Sequence, residues 1–284
     1  KAGEGDAFVS VGVECVSRYA HGYADQPDAQ NPRLLPGNTE EFPDIYITMG
    51  QTAENVADLK GITREEMDRY AVKSQTLAVK ARDGGFFDRE IIPVPLPDGG
   101  TMPRDDGPRP NTTMEGLAAL KPVFRENGRV TAGNACPLND GAAAVVILSG
   151  RKAKALGLQP LARIVATAVS SLEPEIMGLG PIEASRRALA RARMTMDDID
   201  IVEINEAFAA QVIPCARELG IDPLSDKLNP HGGAIALGHP FGMTGARILC
   251  TLLNGLATAG KTIGLETMCV GGGQGMAMIV ERIA

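Results

Sequence analysis

Residues 199–219 read IDIVEINEAFAAQVIPCAREL, and Gly220 follows. The first six residues alternate apolar and acidic side chains, as a half-buried strand does. From 206 to 219 the pattern is helical, and Gly220 suits the position just past a helix end. A strand feeding a helix is the unit of an α/β fold, and the flanking sequence repeats the alternation. Upstream, Pro181 suits the first position of a helix whose apolar stripe is Ile182, Ala188, Leu189 and Ala192. Residues 163–169 read as a strand, and residues 141–148 (GAAAVVIL) as a buried one. Downstream, residues 242–258 form a long Ala/Leu-rich helix. Residues 262–268 and 276–282 are strands flanking a Gly-rich turn, which makes a closing hairpin.

The first half is less regular. Residues 6–13 (DAFVSVGV) read as a short buried strand, and residues 18–43 as mostly loop. A helix covers about 50–59. Thr63 and Glu66 then form a capping-box pattern that opens a helix toward Arg82, with Tyr70, Ser74, Leu77 and Ala81 on one face. Residues 93–110, rich in Pro, Gly and Asp, form an irregular excursion. No short internal repeat is visible. The chain opens at Lys1 with no Met and no signal-peptide pattern, and reads as truncated or processed at this end.

With 284 residues the chain has length for two domains, and 44% hydrophobic with 22% charged residues fits a globular protein. A net charge of −7 argues against nucleic-acid binding, which needs a basic face. No apolar run has the length of a bilayer span, so no membrane partner is expected. Five cysteines, an odd number with no CxxC pair, read as reduced intracellular thiols, and the expected compartment is the cytoplasm.

Four segments carry candidate chemistry: NEAF (205–208), NPHGGAIALGHPFGMTGAR (229–247), MCVGGGQG (268–275) and TAGNACPLNDG (131–141). Each alone has an ordinary reading. Cys269 could be apolar filler, and Asn205 a helix cap. His239 could be a loop cap, and the Gly triplet a simple turn. Together they read differently. A thiol, an imidazole, a carboxamide and a glycine run whose amides can converge on an oxyanion are what acyl transfer on a thioester needs. A thiol near an imidazole and glycine amides is expected to have a depressed pKa. Gly238 and Gly242 are expected to let a substrate approach the backbone.

These residues also resemble a known family. NEAFA (205–209), GGAIALGHPFGMTGAR (232–247) and CVGGGQG (269–275) are similar to the C-terminal signatures of thiolases. MGQTAENVA (49–57) and GITREEMDRYAVKSQ (61–75) resemble that family's inserted loop domain, and residues 1–18 the segment shortly after its nucleophile. The resemblance implies an α/β, five-layered αβαβα fold of two similar halves with an inserted loop domain, the N-terminal half incomplete. Residues 1–18 and 131–160 would belong to the N-terminal half, 19–130 to the loop domain and 161–284 to the C-terminal half. It implies thiolytic cleavage of 3-ketoacyl-CoA, or the reverse Claisen condensation, in homodimers or homotetramers. Coenzyme A is then a substrate, with no cofactor and no metal.

By the same resemblance the acylated cysteine lies upstream of residue 1. His239 activates it, and Cys269 moves the α-carbon proton. Asn205 holds a water in one oxyanion hole, and the Gly271 amide lines the other. Arg109, Phe124, Cys136, Phe208, Met49 and Met177 match CoA- and pocket-lining positions, with core packing as the alternative for the aromatics and methionines. The chain departs from the family at Cys136-Pro137, where Ser-Gly is common. It departs also at Thr48, where acetoacetyl-CoA-specific members carry His, at residues 10–13, where a Gly pair is common, and at His231, where Asn is common. Thr48 favours a broader 3-ketoacyl-CoA substrate. A ketoacyl-carrier-protein synthase would carry His in place of Cys269. A non-catalytic CoA-binding subunit of the same fold and an inactive truncated thiolase stand as the rival readings.

Overall fold

A computed structural model describes residues 3–18, 26, 28–35 and 43–283. The strands are β1 (Ala7–Glu14), β2 (Val94–Pro95), β3 (Thr101–Met102), β4 (Gly141–Leu148), β5 (Ala162–Ser171), β6 (Ile201–Ile204), β7 (Ile263–Val270) and β8 (Gln274–Arg282). The α-helices are α1 (Met49–Lys60), α2 (Arg64–Asp83), α3 (Met114–Ala118), α4 (Gly150–Ala155), α5 (Gly180–Ala192), α6 (Ala209–Glu218), α7 (Ala234–Leu237) and α8 (Thr244–Ala259). Most of the expected loop over 18–43, and Lys1 itself, lie outside the described residues.

The second half is organised by a four-stranded sheet in the order β5-β8-β7-β6. β6 runs parallel to β7 and the other pairs are antiparallel. The main core lies between this sheet, α5, α6 and the helices α1 and α2, with Val56, Met67, Tyr70, Val212 and Leu265 fully enclosed. A second cluster packs Leu249, Leu252 and Leu256 of α8 on Ile201 and Val280. Residues 199–204 were expected to be half-buried, yet every residue of β6 is buried, Glu203 included. The acidic alternation fails as a surface signal because α8 covers the face that carries Glu203.

Glu203 and Glu266 lie side by side in the β6–β7 register, with the Arg247 guanidinium as their nearby cation. Burial pushes both carboxyls up to about 8, against the pull of Arg247. A carboxyl raised in the folded state binds its proton more tightly there than in the unfolded chain. Its stabilising contribution is therefore whole at low pH and is lost as pH climbs from its ordinary value near 4.5 to about 8. Glu203→Gln is expected to flatten that loss. Urea-unfolding midpoints at pH 5 and pH 8 measure it, and an unchanged difference between the two would refute it.

β1 and β4 pair in full antiparallel register, Ala7 opposite Leu148 through Glu14 opposite Gly141. Both were expected to be buried, and this is corrected. Val9, Val11 and Val13 are 69, 68 and 69% exposed. Among the described residues the two strands have only each other as sheet neighbours, and α8 covers one side of the pair. The contact with the His239 loop is tight. A side chain on Gly12 would fall 1.8 Å from the Gly242 carbonyl oxygen, and one on Gly242 would fall 2.6 Å from that of Val13.

α2 begins as expected. The Glu66 backbone N–H donates to the Thr63 hydroxyl at 3.2 Å, and the Glu66 carboxylate accepts from the Thr63 N–H at 2.8 Å. Thr63→Ala is expected to cost about 1 kcal/mol of stability, read by chemical denaturation. Pro181 falls one position later than expected, at the second residue of α5. The largest shift is in α6, which begins at Ala209 rather than 206.

Candidate active site

The delay of α6 builds the site. Phe208 is extended, with φ −148° and ψ 143°, because residues 134–136 lie antiparallel against 207–209. The Cys136 N–H donates to the Ala207 carbonyl at 3.0 Å, and the Ala209 N–H to the Asn134 carbonyl at 2.9 Å. Phe208 is thereby held extended and becomes the residue that precedes the helix, which rules out Asn205 as the helix cap. The segment TAGNAC meets NEAFA across more than sixty residues of sequence.

Cys269 near the end of β7 packs with Ala207 and with Met177, which lies on a 3₁₀ turn over Pro174–Leu179; Phe208 closes the cluster. Phe124 stands edge-on to Phe208, ring centres 6.1 Å apart, and lies over Gly50 beside Met49. Contacts thus run from Cys269 through Met177 and Phe208 to Phe124 and the start of α1, where Met49 precedes Gly50, and Cys136 joins at Ala207. Arg109 is exposed and joins the assembly through its backbone N–H, which donates to Gln75 Oε1 at 2.8 Å. Its loop abuts α7 at Gly107, where a side chain would fall 2.6 Å from the Ala236 carbonyl oxygen.

The expectation of a depressed Cys269 pKa is reversed. Burial among apolar neighbours pushes the thiol up to about 11. Cys136 is pushed up to about 12 by burial, with the Cys269 sulfur adding to the effect. Both are neutral thiols at pH 7, so Cys269 stands ready as a proton donor.

Asn205 is 1% exposed, and both polar atoms of its amide are buried without a protein partner. Its own N–H donates to the Thr267 carbonyl at 3.0 Å, which fixes it two residues from Cys269 on the neighbouring strand. Gly271 opens the turn between β7 and β8, with free space where a side chain would project. Gly272 and Gly273 have φ of +78° and +83°, and a side chain on Gly273 would strike the Leu172 carbonyl oxygen at 2.1 Å. Glycine is required there by the turn itself.

His239 stands on a separate segment, the loop after α7. Its N–H donates to Asn139 Oδ1 at 3.1 Å, and its Nδ1 lies 2.7 Å from the Thr244 hydroxyl. Burial, reinforced by the nearby Arg247 cation, holds the imidazole down to about 4. It is neutral, hence a competent base, at physiological pH. Gly238, at φ +91°, and Gly242 were expected to admit substrate. Instead the Gly238 position is filled by the Asn139 amide and the Gly242 position by Val13. Both serve the packing of the loop on its own chain.

Glu206 is the residue that sequence reading undervalued. Its Oε1 accepts from the Tyr70 hydroxyl at 2.9 Å and Asn229 Nδ2 at 2.8 Å; its Oε2 accepts from the Ser74 hydroxyl at 2.6 Å and the Ile235 N–H at 3.1 Å. One buried carboxylate thus ties α2, the 229 loop and α7 to the strand end that carries Asn205. His231 lies outside this network and stacks on Phe86, ring centres 3.5 Å apart. A helical face of Tyr70 and Ser74 read as core, and nothing local in the sequence marks their hydroxyls as donors to Glu206.

A neutral thiol, a neutral imidazole and an unpartnered carboxamide, carried on a sheet with helices to either side, are the groups a thioester acyl-transfer enzyme uses. The chain matches the family description "Thiolase, N-terminal domain" over residues 1–151 and "Thiolase, C-terminal domain" over 158–282. It is 45% identical to an acetyl-CoA acetyltransferase of Syntrophomonas wolfei over 296 residues, covering all of this chain and 74% of that protein. It is 44% identical to a beta-ketoadipyl-CoA thiolase of Escherichia coli, again with 100% and 74% covered. Its fold superposes on the Bacillus anthracis acetyl-CoA acetyltransferase with a TM-score of 0.87 at 40% identity, covering 98% of this chain and 72% of that one. For a human mitochondrial 3-ketoacyl-CoA thiolase in complex with CoA the TM-score is 0.86 at 38% identity, covering 98% and 71%. The chain belongs to the thiolase family and is an enzyme of the thiolase type.

Proposed function

We propose that the protein catalyses CoA-dependent thiolytic cleavage of 3-ketoacyl-CoA, and its reverse Claisen condensation, with the acylated cysteine supplied from outside these 284 residues. One observation carries the reading. Asn205 keeps both polar atoms of its side-chain amide buried without a protein partner, beside the strand that carries Cys269. Such a group suits a bound water that donates to a developing oxyanion.

The roles then divide. His239 takes the proton of the nucleophilic thiol and afterwards faces the thioester oxygen. Cys269 transfers the proton at the substrate α-carbon. The Gly271 amide contributes to the second oxyanion hole. Met49, Met177, Phe124 and Phe208 form the apolar wall for pantetheine and acyl chain, Cys136 borders it, and Arg109 offers its exposed guanidinium to a CoA phosphate. Thr48, just before Met49 at the start of α1, supports acceptance of acyl chains longer than acetoacetyl. The division into an N-terminal half, a loop domain over 19–130 and a C-terminal half, assembly as dimers or tetramers, and a cytoplasmic compartment complete the proposal.

The test is a chain-length series of 3-ketoacyl-CoAs assayed with CoA and the full-length protein. Cleavage that extends beyond acetoacetyl-CoA is expected. No turnover with any member would defeat the enzymatic reading in favour of a CoA-binding subunit.

A further inference from the structure

The hydrogen bonds around His239 decide which of its two ring nitrogens is the base. The Thr244 hydroxyl donates to the Pro240 carbonyl at 3.0 Å. That carbonyl also accepts the Met243 N–H at 3.0 Å, which uses both of its lone pairs. A hydroxyl has one hydrogen. With that hydrogen committed to Pro240, Thr244 Oγ1 meets His239 Nδ1 at 2.7 Å as an acceptor. The Nδ1–H form is the tautomer that satisfies both Thr244 contacts at once, and it leaves the lone pair on Nε2. Thr244 is 0% exposed, so no bulk water can take over its part. The Asn139 bond to the His239 N–H holds the backbone on the other side, so ring and chain are pinned independently.

We propose that Thr244 is a positioning residue that locks His239 in its Nδ1–H tautomer, which makes Nε2 the atom that exchanges the thiol proton. The inference rests on the reading of His239 as the activating base. In that step Nε2 accepts the proton of a thiol S–H, leaving a thiolate and an imidazolium. The Nδ1–H bond to Thr244 persists in both states, so the ring does not reorient when it becomes charged. The reverse transfer from Nε2 restores the thiol and the neutral ring.

The test uses full-length protein labelled with ¹⁵N in histidine only. The chain has three histidines, so His239→Gln identifies the His239 signals. At pH 7 the wild type is expected to show a protonated Nδ1 and a bare Nε2. Thr244→Ser, which keeps the hydroxyl, retains that pattern and keeps kcat within about threefold of wild type. Thr244→Val, close in shape but without an acceptor, shifts the ring toward the Nε2–H form and lowers kcat by about 10²-fold, with little change in KM. Thr244→Ala gives a second reading of the same signals should the valine variant fold poorly by circular dichroism. A wild-type ring protonated at Nε2, or variants that keep the Nδ1–H pattern, would overturn the role of Thr244. A tautomer that switches while turnover is unchanged would instead overturn His239 as the base.

Discussion

Replacing His239 or Cys269 by Ala is expected to lower the rate of CoA-dependent 3-ketoacyl-CoA cleavage by about 10³-fold each, with the loss in kcat rather than KM. The two side chains do different work. His239 is neutral because burial and Arg247 disfavour its charged form, and its Nε2 is free because Nδ1 is engaged by Thr244. Alanine leaves no group to take the nucleophile's proton. Cys269, held at about 11 by burial, begins as a thiol and can protonate the carbanion that departs in cleavage. Alanine fills part of the same apolar space, so Met177 and Ala207 keep their packing while the proton is lost. Because both serve one cycle, the double variant is expected to be barely slower than either single one. Steady-state kinetics on folded variants provide the check. A Cys269→Ala enzyme within tenfold of wild type would remove that residue from the proton path.

The second large effect concerns stability. Glu206→Ala is expected to cost about 3–5 kcal/mol, because it strands several buried donors around a lost charge. Those donors are the Tyr70 and Ser74 hydroxyls, the Asn229 amide and the Ile235 N–H, drawn from three separate segments. Glu206→Gln keeps the shape but turns an NH₂ toward groups that already donate, so a smaller loss is expected from it. Urea unfolding of the three proteins ranks them. If Glu206→Ala unfolds within 1 kcal/mol of wild type, the carboxylate is not the tie described above.

The elements of the second half were legible because their patterns are local. The β7–β8 hairpin, α8 and the capping box of α2 each announce themselves within a few residues. What failed was what depends on distant partners. α6 starts late because Ala135 pairs with Phe208. Glu203 is buried because α8 lies on its face of the sheet. β1 looked like a core strand from its valines, but their burial depends on neighbours that composition does not reveal. The candidate site was read from residue types and signatures, among them His239, Cys269 and Asn205, and the structure packs Cys269 against Met177 and Phe208 of that set. Its protonation states were not, since burial rather than sequence neighbourhood sets the thiol of Cys269. Thr244 and Asn139 lay within quoted motifs, yet only the direction of their hydrogen bonds gives them a task.

The contact between Gly12 and Gly242 bears on how this protein tolerates exchange of parts. Each position leaves no room for a side chain because of backbone in the other's segment. Chimaeras between relatives whose crossover falls anywhere between the two segments would draw them from different parents. Such a hybrid works only if both parents bring glycine, since even one methyl group would push apart β1 and the loop that carries His239. The pair should therefore behave as a single inherited unit, and productive crossover points should cluster where both glycines travel together.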